Sequence, residues 1–176
     1  MATSSFAAAL ARREPLLIDG GLATQLEAQG CDISNHLWSA SLLLDQPDAI
    51  VAASLAFLEA GAECIATASY QASREGFAQR GLSAGQADAL MSLSVDLARQ
   101  ARDAFLAGDP GNSMVPLIAA SVGPYGAMLH DGSEYHGDYA ADTDTIRTFH
   151  RERIAVLADA GGDLFAFETI PSLAEA

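Results

Sequence analysis

Short apolar runs alternate along the chain with longer segments of helical periodicity. Four runs predict β-strands because each is too short for a helix: Leu16–Ile18, Glu63–Ala68, Val115–Ala120 and Leu164–Phe167. Apolar residues at helical spacing predict the helices between them: Leu22 onward, Pro47 to about Glu59, Ala84–Ala107 and Thr143–Ala160. We also expect a lead-in helix within Met1–Arg13 and a helix that Ser172 caps.

The regular alternation of strand and helix predicts an α/β fold with a parallel sheet and helices outside it. Polar residues and glycines follow every strand, at the edge where (β/α)₈ barrels carry their chemistry: Asp19–Gly21, Ser69-Tyr70, Ser121–Gly123 and Glu168-Thr169. Four units make half of such a barrel. The predicted architecture is therefore the first half of a (β/α)₈ TIM barrel, truncated after strand 4, as a single partial domain over residues 1–176. A doubly wound domain is disfavoured because no phosphate loop is present.

The stretch Leu16–Gly21 is the first candidate site. Asp19 stands where a parallel strand passes into its loop, and Gly20 and Gly21 can adopt positive φ and admit a ligand close to the backbone. An amino acid would fit here, with its ammonium on Asp19 and its carboxylate on the glycine N–H groups. The alternative is a strand–turn–helix corner with a solvated aspartate.

Composition narrows the classes of partner. The 176 residues include 9 Lys and Arg against 23 Asp and Glu, for a net charge of −14. Such a field repels phosphate backbones and anionic lipid, so neither nucleic acid nor a membrane surface is expected as a partner. No apolar run approaches the ~20 residues of a membrane span. Arg12 and Arg13 follow the apolar N-terminal stretch, unlike the order in a signal peptide, so we expect a cytoplasmic protein.

The two cysteines do not form a recognisable metal motif. Cys31 and Cys64 lack CxxC or Cys/His spacing, so we expect neither a disulfide nor a metal site built from them. Cys64 is expected in the core and Cys31 in a loop. The histidines show no ligand spacing and are expected at the surface or in loops: His36, His130, His136 and His150.

Several segments, in order along nearly the whole chain, carry a family resemblance: Ile18–Thr24, Gly30–Asp32, Leu37–Ala40, Gly61–Ala72, Ala120–Gly126, Asp131–Tyr135 and Phe167–Pro171. With these segments the chain resembles the N-terminal half of the homocysteine S-methyltransferases, the family that includes the betaine and S-methylmethionine enzymes. The Leu-Trp-Ser, Ala-Ser-Tyr-Gln-Ala and Asp-Gly-Ser-Glu-Tyr segments are most similar to the S-methylmethionine-using branch.

The resemblance implies a zinc enzyme that transfers a methyl group from a sulfonium or ammonium donor to the homocysteine thiol, giving methionine. Zinc binding would deprotonate the thiol, and the thiolate is the nucleophile. The family's zinc ligands are cysteines on later strands. Neither Cys31 nor Cys64 matches one of them, so we expect no zinc site within this chain.

The resemblance also implies the substrate-binding residues. Asp19 and Glu168 would hold the homocysteine ammonium, and the N–H groups of Gly20 and Gly21 would hold its carboxylate. For Glu168 the alternative is a structural ion pair.

Four further residues are candidates for the same site. Trp38 and Tyr70 would face the cationic donor, because aromatic faces attract cations, or would simply pack. Thr67 and Ser121 would bind substrate or cap neighbouring helices.

Two hypotheses about the whole chain remain open at this point. The first is a homocysteine S-methyltransferase lacking its C-terminal half, whose partners are homocysteine and a methyl donor. The second is a non-catalytic amino-acid-binding or interaction module. In a half barrel the first and fourth strands would have open edges, so we also expect self-association.

Overall fold

The computed structural model describes residues 5–12, 14–33, 38–108 and 114–176. Its strands are β1 (Cys64–Ala66), β2 (Leu117–Val122) and β3 (Leu164–Phe167). Its helices are α1 (Ser5–Ala11), α2 (Leu22–Ala28), α3 (Leu42–Asp45), α4 (Pro47–Glu59), α5 (Arg74–Ala78), α6 (Ala84–Gly108), α7 (Tyr125–Leu129) and α8 (Thr143–Ala160), with short 3₁₀ helices at Trp38–Ser41 and Ser133–Tyr135. No helix in these ranges is long and apolar enough to cross a membrane.

The three strands form one parallel sheet in the order β1-β2-β3, as the alternating pattern predicts. Strand β2 lies in the middle and is buried on both faces. Ile118, Ala120 and Val122 belong to the main core, which α4, α6 and α8 complete. Leu117 and Ala119 point the other way, since side chains alternate along a strand, and join a smaller cluster that includes residues of α1.

Most predicted elements are confirmed with small shifts of their ends. Helices α4 and α8 and strand β3 have the predicted bounds, and α6 ends one residue later than predicted. The third strand is displaced by two residues, to Leu117–Val122. The helix that we expect to begin after Ser172 is present only as a single turn, in which the Ser172 hydroxyl accepts from the Glu175 N–H over 3.4 Å, as a capping serine does.

The prediction of a buried strand at Leu16–Ile18 is wrong. Only an isolated parallel bridge joins Ile18 to Cys64, and the side chains of Leu17 and Ile18 are 60% and 69% exposed. This segment lies at the edge of the sheet, where β1 is its only neighbouring strand. Its pairing with β1 is limited to the single bridge. The bridge still fixes Asp19, whose N–H donates to the Cys64 carbonyl over 3.0 Å.

A close backbone contact holds the loop that follows α7. A Cβ on Gly126 would lie 2.4 Å from the backbone nitrogen of Glu134, so only glycine allows the 3₁₀ turn to lie against α7. The Ser133 N–H donates to the Asp131 carboxylate over 2.9 Å and stabilises the same turn. The polar segment 130–139 is therefore a packed loop.

We expect Gly126→Ala to destabilise the chain by roughly 1–3 kcal/mol, because a backbone atom must move to admit the methyl group. Gly85→Ala is the matched control, since a Cβ there meets nothing within 4 Å and alanine favours a helix. Urea unfolding measures both. Equal stability of the two variants would contradict the packing argument.

Candidate functional site

A cavity of about 470 Å³ opens at the carboxyl edge of the sheet. It brings together seven of the eight predicted site residues: Asp19, Gly20, Gly21, Thr67, Tyr70, Ser121 and Glu168. They come from three strand ends and from the bridged segment before α2. The eighth, Trp38, begins a 3₁₀ helix, and its side chain lies outside the described part of the chain.

Asp19 is held at the cavity by the neighbouring strand. Its Oδ2 accepts a hydrogen bond from the Ala66 N–H at 2.7 Å. Burial raises the pKa of Asp19 above its ordinary value; the Ala66 hydrogen bond opposes this shift, and the negative charge of Glu168 reinforces it. The carboxylate thus has a neutral donor and a like-charged neighbour.

Glu168 follows β3 and makes no ion pair with any described residue, contrary to the structural alternative. Its Oε1 instead accepts a short hydrogen bond from the Ser121 hydroxyl at the end of β2. Its N–H donates to the Val122 carbonyl over 3.2 Å. Ser121 therefore orients Glu168 and does not cap a helix.

Thr67 joins β1 to β2. Its hydroxyl oxygen accepts from the Ser121 N–H at 3.0 Å and lies 2.6 Å from the Ser69 hydroxyl, which in turn lies 2.7 Å from the Ser121 carbonyl and donates to it. The predicted alternative of helix capping does not describe Thr67 either. Its described contacts link the two strands beneath the cavity.

Gly20 and Gly21 line the cavity without using the positive φ that the sequence allows them. Gly21 precedes α2 with φ −64°, and neither glycine has positive φ. A Cβ on Gly20 would lie 3.1 Å from the Phe57 ring. Position 20 therefore favours glycine because a side chain there would crowd α4, and not because the backbone is left-handed.

Tyr70 forms one wall of the cavity. Its ring lies against Gly123, where a Cβ would be 2.6 Å from the ring. Burial raises the pKa of the Tyr70 phenol, although a hydrogen bond with Thr169 opposes the shift. Thr169 has φ +58°, which is rare for a β-branched residue and is characteristic of strained functional segments.

Two further residues of the cavity wall, Glu134 and Tyr135, had no role predicted from the sequence. Glu134 and Tyr135 line the cavity from the 3₁₀ turn, although Asp131–Tyr135 was already part of the family resemblance. Glu134 is 3% exposed and Tyr135 is 71% exposed. The described lining contains no Lys, Arg or His, so its charge is entirely negative.

Arg153 of α8 holds two cavity loops together. Its guanidinium donates to the carbonyls of Ser69 and Tyr70, both at 2.8 Å, and to the Gly123 carbonyl at 3.0 Å. It stacks 4.9 Å from the centre of the Phe149 ring. Burial lowers the pKa of Arg153 to about 10. The spacing Phe149–Arg153–Leu157 on the buried face of α8 was the available sequence signal.

His150 differs from the predicted surface histidine. Its Nε2 lies 2.9 Å from Glu175, whose buried carboxylate also accepts from the Tyr139 hydroxyl at 2.7 Å. This cluster fixes the segment after β3 against α7 and α8.

The cysteines do not suit a metal. Cys31 is partly exposed and Cys64 is buried. Burial, with the charges of Asp19 and Asp163, raises the pKa of the Cys64 thiol to about 11, whereas a metal ligand must be a thiolate. Within the described ranges, no group of three His, Cys, Asp or Glu residues could hold a metal ion.

The sheet and its polar cavity define an α/β protein built from parallel β-α units. The family described as homocysteine S-methyltransferase matches residues 16–176, and the chain belongs to that family. It is 50% identical over 168 residues to the homocysteine S-methyltransferase of Escherichia coli (strain K12), covering 96% of this chain and 54% of that protein. It is 48% identical over 163 residues to homocysteine S-methyltransferase YbgG of Bacillus subtilis (strain 168), covering 92% and 52%.

Solved structures agree with the fold. The metallated form of the homocysteine methyltransferase MmuM from Escherichia coli superposes with a TM-score of 0.87 at 49% identity, covering 95% of this chain and 58% of that one. The oxidized form gives a TM-score of 0.91 at 48% identity, covering 98% and 59%. The chain thus spans about half the length of the curated relatives it matches.

The raised pKa of Asp19 predicts an unusual pH dependence. A carboxyl whose pKa is raised by folding stabilises the protein below its unfolded pKa and loses that contribution as pH rises through the folded value. We therefore expect Asp19→Asn to gain stability relative to the parent chain as pH rises above about 4, the ordinary pKa of an aspartate.

Asp142 gives the control of opposite sign, because its hydrogen bonds at the N-terminus of α8 lower its pKa. Asp142→Asn should lose stability relative to the parent as pH rises towards about 4, the ordinary pKa of an aspartate, and the difference should then stay constant at higher pH. Urea unfolding at several pH values measures both trends. A flat profile for Asp19→Asn would refute the burial argument.

Replacing Arg153 should show how strongly the two loops depend on it. Arg153→Met leaves three buried carbonyls unpaired, so we expect a loss of about 3 kcal/mol, with Arg153→Lys intermediate. Arg147→Met on the exposed face of the same helix should change stability by less than about 0.5 kcal/mol. If Arg153→Met unfolds in urea like Arg147→Met, the loops do not need the guanidinium.

Proposed function

We propose that this chain forms the homocysteine-binding part of a homocysteine S-methyltransferase. In the full reaction the homocysteine thiol loses its proton, and its sulfur takes a methyl group from S-methylmethionine. The bond from that methyl to the donor sulfur breaks, and the electron pair stays on the donor as a thioether. The products are two molecules of methionine and one proton. The chief support is the cavity that gathers acids from separate strand ends beside the glycines before α2.

In this proposal two carboxylates hold the homocysteine ammonium. The hydrogen bonds from Ala66 and Ser121 occupy Oδ2 of Asp19 and Oε1 of Glu168. The second oxygen of each carboxylate would accept from the ammonium. The N–H groups of Gly20 and Gly21, which directly follow Asp19, would take the substrate carboxylate. The ammonium would relieve the like-charge repulsion between the two acids.

Of the other predicted residues, two would contact the methyl donor and two would position the site. Tyr70, together with Trp38, would face the cationic donor through aromatic rings. Ser121 would act through Glu168 by orienting its carboxylate, and Thr67 would keep β1 and β2 in register below it. Neither hydroxyl needs to contact substrate in this arrangement.

A metal enters the proposal only through the full-length family. The metallated form of MmuM supports a metal in such enzymes, and zinc would supply a thiolate at neutral pH. The described residues of this chain do not fit a metal site, since Cys64 favours the thiol form and no suitable group of ligands is present among them. We therefore assign the zinc ligands to the part of the relatives that this chain does not match.

The same reasoning applies to the architecture. We interpret residues 1–176 as the first half of a (β/α)₈ barrel, because the chain matches about half of each relative and its strands follow one another in order. Phe167 on β3 and Leu173 after it are exposed, and an apolar cavity of about 740 Å³ lies beside α8. Further strands, or a second copy of the chain, would cover these surfaces. A cytoplasmic location stays a prediction.

Calorimetric titration with L-homocysteine tests the binding proposal. Asp19→Asn and Glu168→Gln should each weaken binding by about tenfold or more, because each removes a charge-assisted hydrogen bond. Asp138→Asn removes the same charge from a side chain that is 94% exposed and should leave affinity unchanged. Equal affinities for all variants would overturn the site.

Methionine formation then separates an enzyme from a binding module. The assay supplies homocysteine and S-methylmethionine to this chain and to one extended through the remaining length of its relatives. Turnover by the extended chain supports the methyltransferase. Binding without turnover in both chains would favour the non-catalytic module.

A further inference from the structure

We propose that Glu134 is a specificity-determining residue that recognises the positive charge of a sulfonium methyl donor. This inference rests on the proposed function and extends it to the donor. Asp19 and Glu168 are assigned to homocysteine, whereas the motif Asp131–Tyr135 has no role in that assignment. Glu134 is the member of this motif that combines burial with a position on the cavity wall.

The packing of the 3₁₀ turn fixes Glu134 in place. Its backbone lies against Gly126, where no side chain larger than hydrogen fits. Asp131 accepts from the Ser133 N–H and secures the other side of the turn. Glu134 is thereby 97% removed from solvent while it still lines the cavity. A buried carboxylate held by rigid backbone contacts cannot easily swing out to find water.

Glu134 has no cation to balance it in the described part of the chain. It takes part in none of the ion pairs there, and no basic side chain lines the cavity. Its charge acts on Tyr135, where it is the main cause that raises the phenol pKa, and it contributes to the raised pKa of Tyr70. The Tyr135 hydroxyl also forms a hydrogen bond with the Glu134 carboxylate, so Glu134 is held by a neutral donor and keeps a negative charge at the cavity wall.

The net charge of the donor fits the negative wall. Homocysteine has an ammonium and a carboxylate and carries no net charge, whereas S-methylmethionine has an ammonium, a carboxylate and a sulfonium and carries a net charge of +1. The described cavity wall carries three carboxylates: Asp19, Glu134 and Glu168. These acids do not form a group that could hold a metal ion. A betaine donor has one quaternary ammonium and one carboxylate, so it would bring no net positive charge to this wall.

Recognition through Glu134 would also distinguish substrate from product. The sulfonium becomes a neutral thioether when its methyl group leaves, so the attraction to Glu134 ends with the transfer. Tyr70 and Tyr135 would reinforce the preference, because aromatic faces attract cations and have no such attraction for a thioether. Methionine would then leave a site that had held its cationic precursor.

Calorimetric titration of the full chain with two matched probes tests this assignment. S-methyl-L-methionine and L-methionine share their backbone and differ by one methyl group and one positive charge. Glu134→Gln should weaken binding of S-methyl-L-methionine by about tenfold or more and binding of L-methionine by less than about twofold. Glu134→Asp keeps the charge and should retain part of the preference for the sulfonium.

The control is Asp138→Asn, which removes one charge from the same loop outside the cavity and should leave both affinities unchanged. Circular dichroism and thermal melting establish that each variant is folded. If folded Glu134→Gln binds both probes like the parent chain while homocysteine binding persists, the donor inference fails and the proposed function stands. If the parent chain binds neither homocysteine nor S-methyl-L-methionine, both proposals fail.

Discussion

The candidate site depends on carboxylates that are held by neutral donors. The Ala66 N–H fixes Asp19 and the Ser121 hydroxyl fixes Glu168, in each case from the neighbouring strand. These hydrogen bonds fix the carboxylates in place and do not neutralise their charge. The pKa of Asp19 is therefore raised, by burial and by the negative charge of Glu168. Carboxylates held in this way repel each other in the empty protein, and a cation beside them would relieve that repulsion.

The parallel sheet makes this arrangement possible. Strands that run in one direction bring their carboxyl ends to one edge, and short polar side chains there connect each strand to the next. Thr67 and Ser69 link β1 to β2, and Ser121 links β2 to the acid after β3. Arg153 then joins the loops above the first two strands from outside the sheet. The cavity wall is thus stabilised both by hydrogen bonds between the strand ends and by the hydrogen bonds of Arg153 to the loops.

The spacing of apolar residues along the sequence predicted correctly the elements that pack against the core on one face. Helices α4 and α8 have the predicted bounds, since each buries residues at helical spacing in the core, such as Ile50 and Leu58 on α4 and Phe149 and Leu157 on α8. Leu16–Ile18 failed for a non-local reason, since a run of apolar residues does not reveal whether the sheet has a neighbour on both sides. The capacity of Gly20 and Gly21 for positive φ is likewise unused, because packing against Phe57 sets the requirement for glycine at Gly20.

The polar residues that complete the site were harder to predict because their partners are distant in sequence. Arg153 contacts carbonyls more than 80 residues earlier, and nothing near it in the chain reveals them. Yet its position on the apolar face of α8 already implied a buried charge that required several acceptors. Glu134 is also a buried charged residue, but its surroundings differ from those of Arg153. Arg153 has three carbonyl partners within the fold, whereas the buried Glu134 has a hydrogen bond with Tyr135 and lines a cavity whose described wall has no basic residue, so a cationic ligand would add the charge that the fold does not supply there.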